Sequence, residues 1–410
     1  MESIFTNLTE KELNWYEEVT RFCADNVAPF IPDMEEGKID VWDIIRPFGK
    51  KGYIGIIFPK RYGGLSGTLM QELIMTEAVC YHSLPIDMSR FSSTYPGLLI
   101  RMFGKSRTLK DYIISLCSGE KIGSFCFTEP EAGSDLSRME TIYKYDEAND
   151  EYILNGEKRF IVNGSIADIM VVYARNGAFI VESEWEGFEV IEEYKMMGLH
   201  GLHLGHMKFN NVRVPAQNKL FYKEIKPEAK GAPKRKTAAI SGMQAMLGPE
   251  RMVLSVQALA VAKHALEVAI DYSKKRVQFK RPIAEFEGIN FKIAEMCTNF
   301  EAAKSLVSRA VATIEDGNLA AMAKLFSCQN SYQICDDAIQ ILGGIGYTNK
   351  YPVERCARDV RLLRIGGGTD EIMKYVIQKS IYRKSEEKSE MDMPKAGFFD
   401  KSEDDDDEED

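Results

Sequence analysis

The sequence has no pair of cysteines at C-x-x-C spacing, although it contains eight cysteines, from Cys23 to Cys356. That absence excludes a zinc knuckle and a thioredoxin-like redox site, and the scattered thiols read as reduced, mostly buried side chains of a cytoplasmic protein. No basic stripe is present either, so nucleic acid is not an expected partner. The formal charge of -10 has a local origin: Glu403 to Asp410 are eight acids, and without them 54 acids face 52 bases. The first residues, "MESIFTNLTEKELNWYEEV", lack a basic region followed by an apolar run and already carry an amphipathic helical pattern. Signal peptide, transit peptide and membrane span are therefore not expected. Gly343, Gly344 and Gly346 are not a Rossmann fingerprint, because they follow a helical pattern with no βαβ unit around them.

What is present is a chain of 410 residues, long enough for two or three structural units with a shared core. From Leu8 to about Leu116 the apolar residues recur at helical spacing, which predicts a helical first unit, residues 1–123. The period then shortens. "EYILNG", "IMVVYAR", "GAFIVE", "GFEVIEE" and "HMKFNNVRVP" are β-branched or alternating runs and predict a small β unit, residues 124–237, that ends in a basic connection read as an exposed loop. From Pro249, set where a first helical residue is favoured, one long helical pattern opens a second helical unit, residues 238–385. Residues 386–410 end in "SEDDDDEED", which has nothing to bury and is expected to be disordered.

Four stretches carry candidate chemistry. "CFTEPEAGSD" follows an apolar strand and is either a plain tight turn or one whose hydroxyls and amides grip the polar edge of a flat heterocycle. "KKRVQFKRPI" places Arg276, Gln278 and Phe279 at a helix end, where the charges complement the helix dipole or meet a diphosphate. "QILGGIGY" and "RIGGGTDEIM" are glycine loops that let backbone approach a ligand. "GLHGLHLGH" spaces His200, His203 and His206 three apart, but on a β segment they do not share a face and no carboxylate or cysteine accompanies them, so no metal is expected.

Together these stretches resemble the acyl-CoA dehydrogenase family over nearly the whole chain, the tail and the basic connection excepted. TEP-x-AGSD, R-x-Q-F-x-x-PI and Q-x-x-GG-x-GY-x-x-x-YPVER-x-x-RD stand in the family's order. The resemblance implies an α+β protein with an N-terminal helical domain, a central β-barrel and a C-terminal four-helix bundle. It also implies bound FAD, a homotetramer, an acyl-CoA substrate in fatty or organic acid metabolism, and electron-transferring flavoprotein as partner. Carried over by residue, Phe125, Thr128 and Ser134 would lie along flavin and thioester. Arg276, Gln278 and Phe279 would reach the FAD of a neighbouring subunit and meet Gln340 and Gly344 from the chain across the interface, with Thr369 and Glu371 on the diphosphate and ribose side. Three positions depart from the pattern: Phe160 and Val162 replace a tryptophan and a hydroxyl residue beside the flavin, and Lys280 replaces a glycine, which puts the tight turn there in doubt.

The family reaction takes a proton from the α carbon of a thioester as hydride leaves the β carbon for flavin N5, and it needs a carboxylate and hydrogen bonds to the carbonyl oxygen. The carboxylate position of many members is Gly367 here, which keeps only a backbone N–H. "LGPERMV" resembles the long-chain and isovaleryl branches, where the base precedes an arginine on the long helix, and this makes Glu250 the expected base beside Arg251. The same pair is also an ordinary helix-end device. Asp87 is the reserve base and a candidate contact for a polar acyl group, or else caps a helix with Ser89. Two other readings stay open: an enoyl-CoA reductase working in the opposite direction, and a non-catalytic protein that binds flavin or acyl-CoA.

Overall fold

The computed structural model describes residues 2–104, 109–220, 238–313 and 316–383, and the side chains of 238–247 are not among them. The basic connection and the acidic tail lie outside the described residues.

The first unit consists of α1 (Glu10–Asn26), α2 (Ile31–Glu35), α3 (Val41–Gly49), α4 (Leu69–His82), α5 (Leu84–Phe103) and α6 (Lys110–Ser118). Local sequence fixes several of the starts. Thr9 with Glu12, Asp40 with Asp43 and Thr68 with Gln71 each form a capping box at the head of α1, α3 and α4, satisfying amides that have no partner inside the helix. Trp42, Phe48, Leu73 and Val79 then bury one face of these helices in a common core.

The central unit has β1 (Gly123–Cys126), β2 (Ile142–Asp146), β3 (Glu151–Val162), β4 (Ile169–Ala174), β5 (Gly177–Glu182), β6 (Phe188–Glu193), β7 (Leu204–Pro215) and β8 (Lys219–Leu220). The strands make two four-stranded sheets, ordered β1-β4-β5-β8 and β2-β3-β7-β6. Leu154, Met170, Phe179, Met207 and Val212 are among the residues of the apolar core they share. β4 is buried at every position, which is why its sequence is continuously apolar and does not alternate. Strands β1 and β2 were not signalled by alternation, since β1 has four residues and β2 lies at a mostly exposed sheet edge.

The last unit begins with α7 (Ala238–Lys275), followed by β9 (Val277–Gln278), β10 (Arg281–Pro282), α8 (Glu287–Ala312), α9 (Gly317–Leu342), α10 (Val353–Val360) and α11 (Asp370–Arg383). Helices α7, α8, α9 and α11 pack as the four-helix bundle. The segment Gly248–Lys275 is the one described helix long and apolar enough to cross a membrane, and its residues Met252, Val256, Leu259 and Leu266 are instead packed in the core. A helix apolar around its whole circumference belongs at the centre of a bundle.

Two local expectations are corrected. Pro249 does not begin α7; the helix starts at Ala238 and Pro249 lies inside it. Proline there removes one helical hydrogen bond from the turn just before Glu250. The turn after Gln278 is tight despite Lys280, because Gln278 pairs with Arg281 across a two-residue loop. Phe279 and Lys280 both take positive φ, 50° and 69°, the conformation of a primed hairpin turn that glycine and asparagine usually supply.

Candidate active site

Glu250 sits on α7 where the bundle meets the glycine loop. Its side chain is half-buried, and burial pushes its carboxyl up to about 7, partly offset by the charges of Arg251 and Lys324. A carboxyl that titrates near neutrality is suited to take a proton from a weak carbon acid. Gly367 faces it. The backbone of Gly367 has φ +62°, and a Cβ added there would collide with Leu254 Cδ1 and stand 3.7 Å from Glu250 Oε1. Leu254 therefore fills the space that a side chain at residue 367 would enter, and the Glu250 carboxyl lies alongside it.

The aromatic wall near this carboxyl comes from three elements. Tyr95 on α5 stacks on Phe125 of β1 with ring centroids 4.5 Å apart, and Phe127 stacks on Tyr173 of β4 at 3.9 Å. Both tyrosine hydroxyls are pushed well up, by burial first and then by the neighbouring Glu250 charge. Arg251 is buried next to Glu250, and its Nε has no hydrogen-bond partner. The site thus combines a weakly acidic carboxyl, a buried guanidinium, a glycine backbone and a set of rings.

The turn "CFTEPEAGSD" is held by a buried latch that the sequence did not reveal. Lys158 Nζ donates to Glu129 Oε1 at 2.7 Å and to the Phe127 carbonyl at 3.0 Å, and Glu129 also accepts from the amides of Glu140 and Thr141. The Arg159 amide donates to the Thr128 carbonyl at 2.9 Å, so the turn lies along β3. Ser134 is exposed. Phe160 lies in the register irregularity between Lys158 and Ile161 with φ 58°, is half exposed, and carries the Arg159 guanidinium 4.3 Å above its ring. The Val162 carbonyl accepts from Ser124 Oγ at 2.7 Å.

A second grouping lies at the far end of α7. Arg276, Gln278, Phe279, Gly343 and Gly344 line one cleft of ≈ 1270 Å³. Added Cβ atoms at Gly343 and Gly344 would meet nothing within 4 Å, so their backbone is open to a ligand. The basic rim and bare backbone fit the phosphate half of a dinucleotide such as FAD. Gln340 is exposed on the same helix end, while Thr369 Oγ1 accepts from the Ile372 amide at the start of α11 and Glu371 is exposed in that first turn.

Asp87 does not cap the helix as expected. It lies inside the first turn of α5, whose N-cap is Ser83. Its carboxylate is fully buried and accepts from Arg90 Nη2 at 2.7 Å and Nε at 3.0 Å and from Gln257 Nε2 at 2.9 Å. Arg90 also reaches Glu72 at 2.7 Å. Ser89 donates to Asn163 Oδ1 and does not cap the helix. The expectation that no carboxylate joins the histidines is corrected as well: His200 meets Glu35, His203 lies between Asp40 and Glu193, and His206 meets Glu157. These are separate groups, and no cluster able to hold a metal ion occurs among the described residues.

Three family models cover the chain in sequence order: acyl-CoA dehydrogenase N-terminal domain at residues 9–120, middle domain at 124–212 and C-terminal domain at 240–382. A Bacillus subtilis acyl-CoA dehydrogenase is 34% identical over 387 residues, covering 91% of this chain and 98% of its own length. The butyryl-CoA dehydrogenase structure from Megasphaera elsdenii is 30% identical, covers 93% of this chain and all of its own, and superposes with a TM-score of 0.83. A chain from work on the electron transferring flavoprotein of Acidaminococcus fermentans is 31% identical, with the same coverage and TM-score. With matching domains in the same order and relatives aligned over almost their full length, this chain belongs to the acyl-CoA dehydrogenase family.

Proposed function

We propose that this enzyme removes the α proton of an acyl-CoA thioester with Glu250, while the backbone amide of Gly367 receives the carbonyl oxygen. The observation that carries the reading is the placement of the Glu250 carboxyl, half-buried with its proton affinity raised to about 7, directly beside Gly367. Desolvation makes the carboxylate a stronger base than an exposed glutamate, and the amide dipole meets the negative charge that develops on the thioester oxygen. Arg251 and Lys324 limit the rise, so that a useful fraction is ionised near neutral pH. FAD, when bound, would supply the hydride acceptor, and Arg276, Gln278, Phe279 and Gly344 would hold the phosphate and nucleotide end of a neighbouring subunit's FAD. Support for that cofactor comes from the family and from a structural relative solved with FAD.

We assign electron-transferring flavoprotein as the electron acceptor on the likeness to the Acidaminococcus chain. The exposed rings of Phe279, Phe291 and Tyr347 support burial in a homotetramer, and the free state of all eight cysteines supports a cytoplasmic location. The test is anaerobic titration of the purified flavoprotein with straight, branched, cyclic and dicarboxylic acyl-CoA thioesters. Stoichiometric bleaching by one class supports the reading, whereas retained flavin colour with every thioester opposes it.

A further inference from the structure

Lys324 lies on α9 with none of its surface exposed. A lysine at such a position costs desolvation energy and requires a partner that an apolar residue would not. Its Nζ donates to the Gly368 carbonyl at 2.6 Å, on the loop that carries Gly367. The far end of this loop is closed by Asp370, whose Oδ2 accepts from Arg364 Nε at 2.8 Å and Gln329 Nε2 at 3.0 Å. Three successive glycines have no side chains with which to hold their own backbone, and glycine loses the most conformational freedom on ordering. The lysine supplies the missing restraint from beneath.

We propose that Lys324 is the positioning residue of the glycine loop: its buried ammonium holds the Gly368 carbonyl and so sets the Gly367 backbone against the Glu250 carboxyl. The proposal rests on Glu250 being the base. The groups electrostatically coupled to Lys324 are Cys328 on its own helix, Asp370 at the head of α11, and Glu250 and Arg251 on α7. Those coupled to Glu250 are Arg251, Lys324, Tyr95 on α5 and Tyr173 on β4. Lys324 thus has two effects on one site, a hydrogen bond that fixes the loop and a positive charge that favours ionised Glu250.

The test uses the FAD-loaded protein with K324M, which removes donor and charge, and K324R, which keeps both. Amide exchange of the loop 366–368 is expected to rise about tenfold in K324M. The Glu250 carboxyl titration, read as the infrared difference from E250Q, is expected to move up by about one pH unit, and K324R is expected to restore both towards wild type. Unchanged exchange in K324M would overturn the proposal. Faster exchange with an unmoved Glu250 midpoint would also overturn it, leaving Lys324 a structural residue only. Should K324M not accumulate as folded protein, K324Q keeps a donor without the charge and is expected to show the same upward midpoint shift; an unmoved midpoint in K324Q would overturn the proposal. Bleaching that survives in E250Q would instead contradict the reading of Glu250 as base, whatever the exchange data show.

Discussion

The Glu250 carboxyl oxygen lies 3.7 Å from the point where Gly367 would carry a Cβ. The two residues are 117 positions apart in the chain and meet at van der Waals distance, while the space an added Cβ would need is taken by Leu254. Substitution G367A places a methyl against Leu254 at φ +62°. It is expected to cost about 2 kcal/mol of stability from the backbone conformation and overlap together and to slow flavin bleaching while FAD stays bound. In the L254A background the cost of G367A should shrink, because the colliding methyl is gone. Urea unfolding of the four proteins measures this; equal costs in both backgrounds would place the strain elsewhere.

Glu250 itself is predicted to lower stability where it is functional. The native state holds its proton more tightly than the unfolded chain does, with a midpoint of about 7 against an ordinary 4.5. Stability linked to this proton is intact below about 4.5, declines between 4.5 and 7, and is lost above about 7. E250Q, which cannot ionise, should therefore exceed wild type by about 3 kcal/mol at pH 8, with a smaller difference at pH 5.5. Urea midpoints at the two pH values test the sign. A gap that widens on acidification would mean that the carboxyl is stabilised as the anion.

Asp87 answers a different question. Its carboxylate is shared by Arg90 and Gln257 in a buried cluster, so D87A leaves Arg90 with Glu72 as its remaining carboxylate and Gln257 Nε2 without that acceptor. The expected result is a loss of about 2–3 kcal/mol in unfolding free energy from the buried hydrogen bonds removed, read by denaturation of the holoprotein. A D87A protein of wild-type stability that had lost only its reaction with acyl-CoA would instead make Asp87 part of the chemistry.

Much of this architecture was legible in the sequence, for reasons that particular residues make clear. The runs "EYILNG" and "GAFIVE" mark strands because their side chains alternate or are β-branched, and Thr9 with Glu12 marks the start of α1 through local hydrogen bonds. The roles expected of Glu250 and Gly367 came from motif resemblance, and the structure sets the two residues side by side. Contacts made by folding alone were not legible. Lys324 gains its meaning from Gly368, 44 positions away, and Asp87 from Gln257, 170 positions away. A lone lysine in "AMAKLFS", an otherwise apolar helical stretch, was the available signal of a buried charge. Pro249 misled because its place at a first turn and its place inside a long helix have the same local sequence.

The turn at Phe279 and Lys280 offers a check on local strain. K280G relieves a left-handed conformation that costs a side chain about 1 kcal/mol, and Lys280 makes no hydrogen bond among those described. The variant should unfold at slightly higher urea with undiminished FAD content. Reduced flavin loading would show that the lysine side chain holds the nucleotide.

The rate of anaerobic flavin bleaching against pH, compared between wild type and E250Q with the thioester that bleaches the wild-type protein, bears most directly on the central claim. The wild-type rate should rise with pH through about 7, as Glu250 ionises, and E250Q should be slower by about 10²–10⁴-fold, with that rise abolished. An E250Q protein that bleached at the wild-type rate, with the same pH dependence, would show that the proton goes to another group.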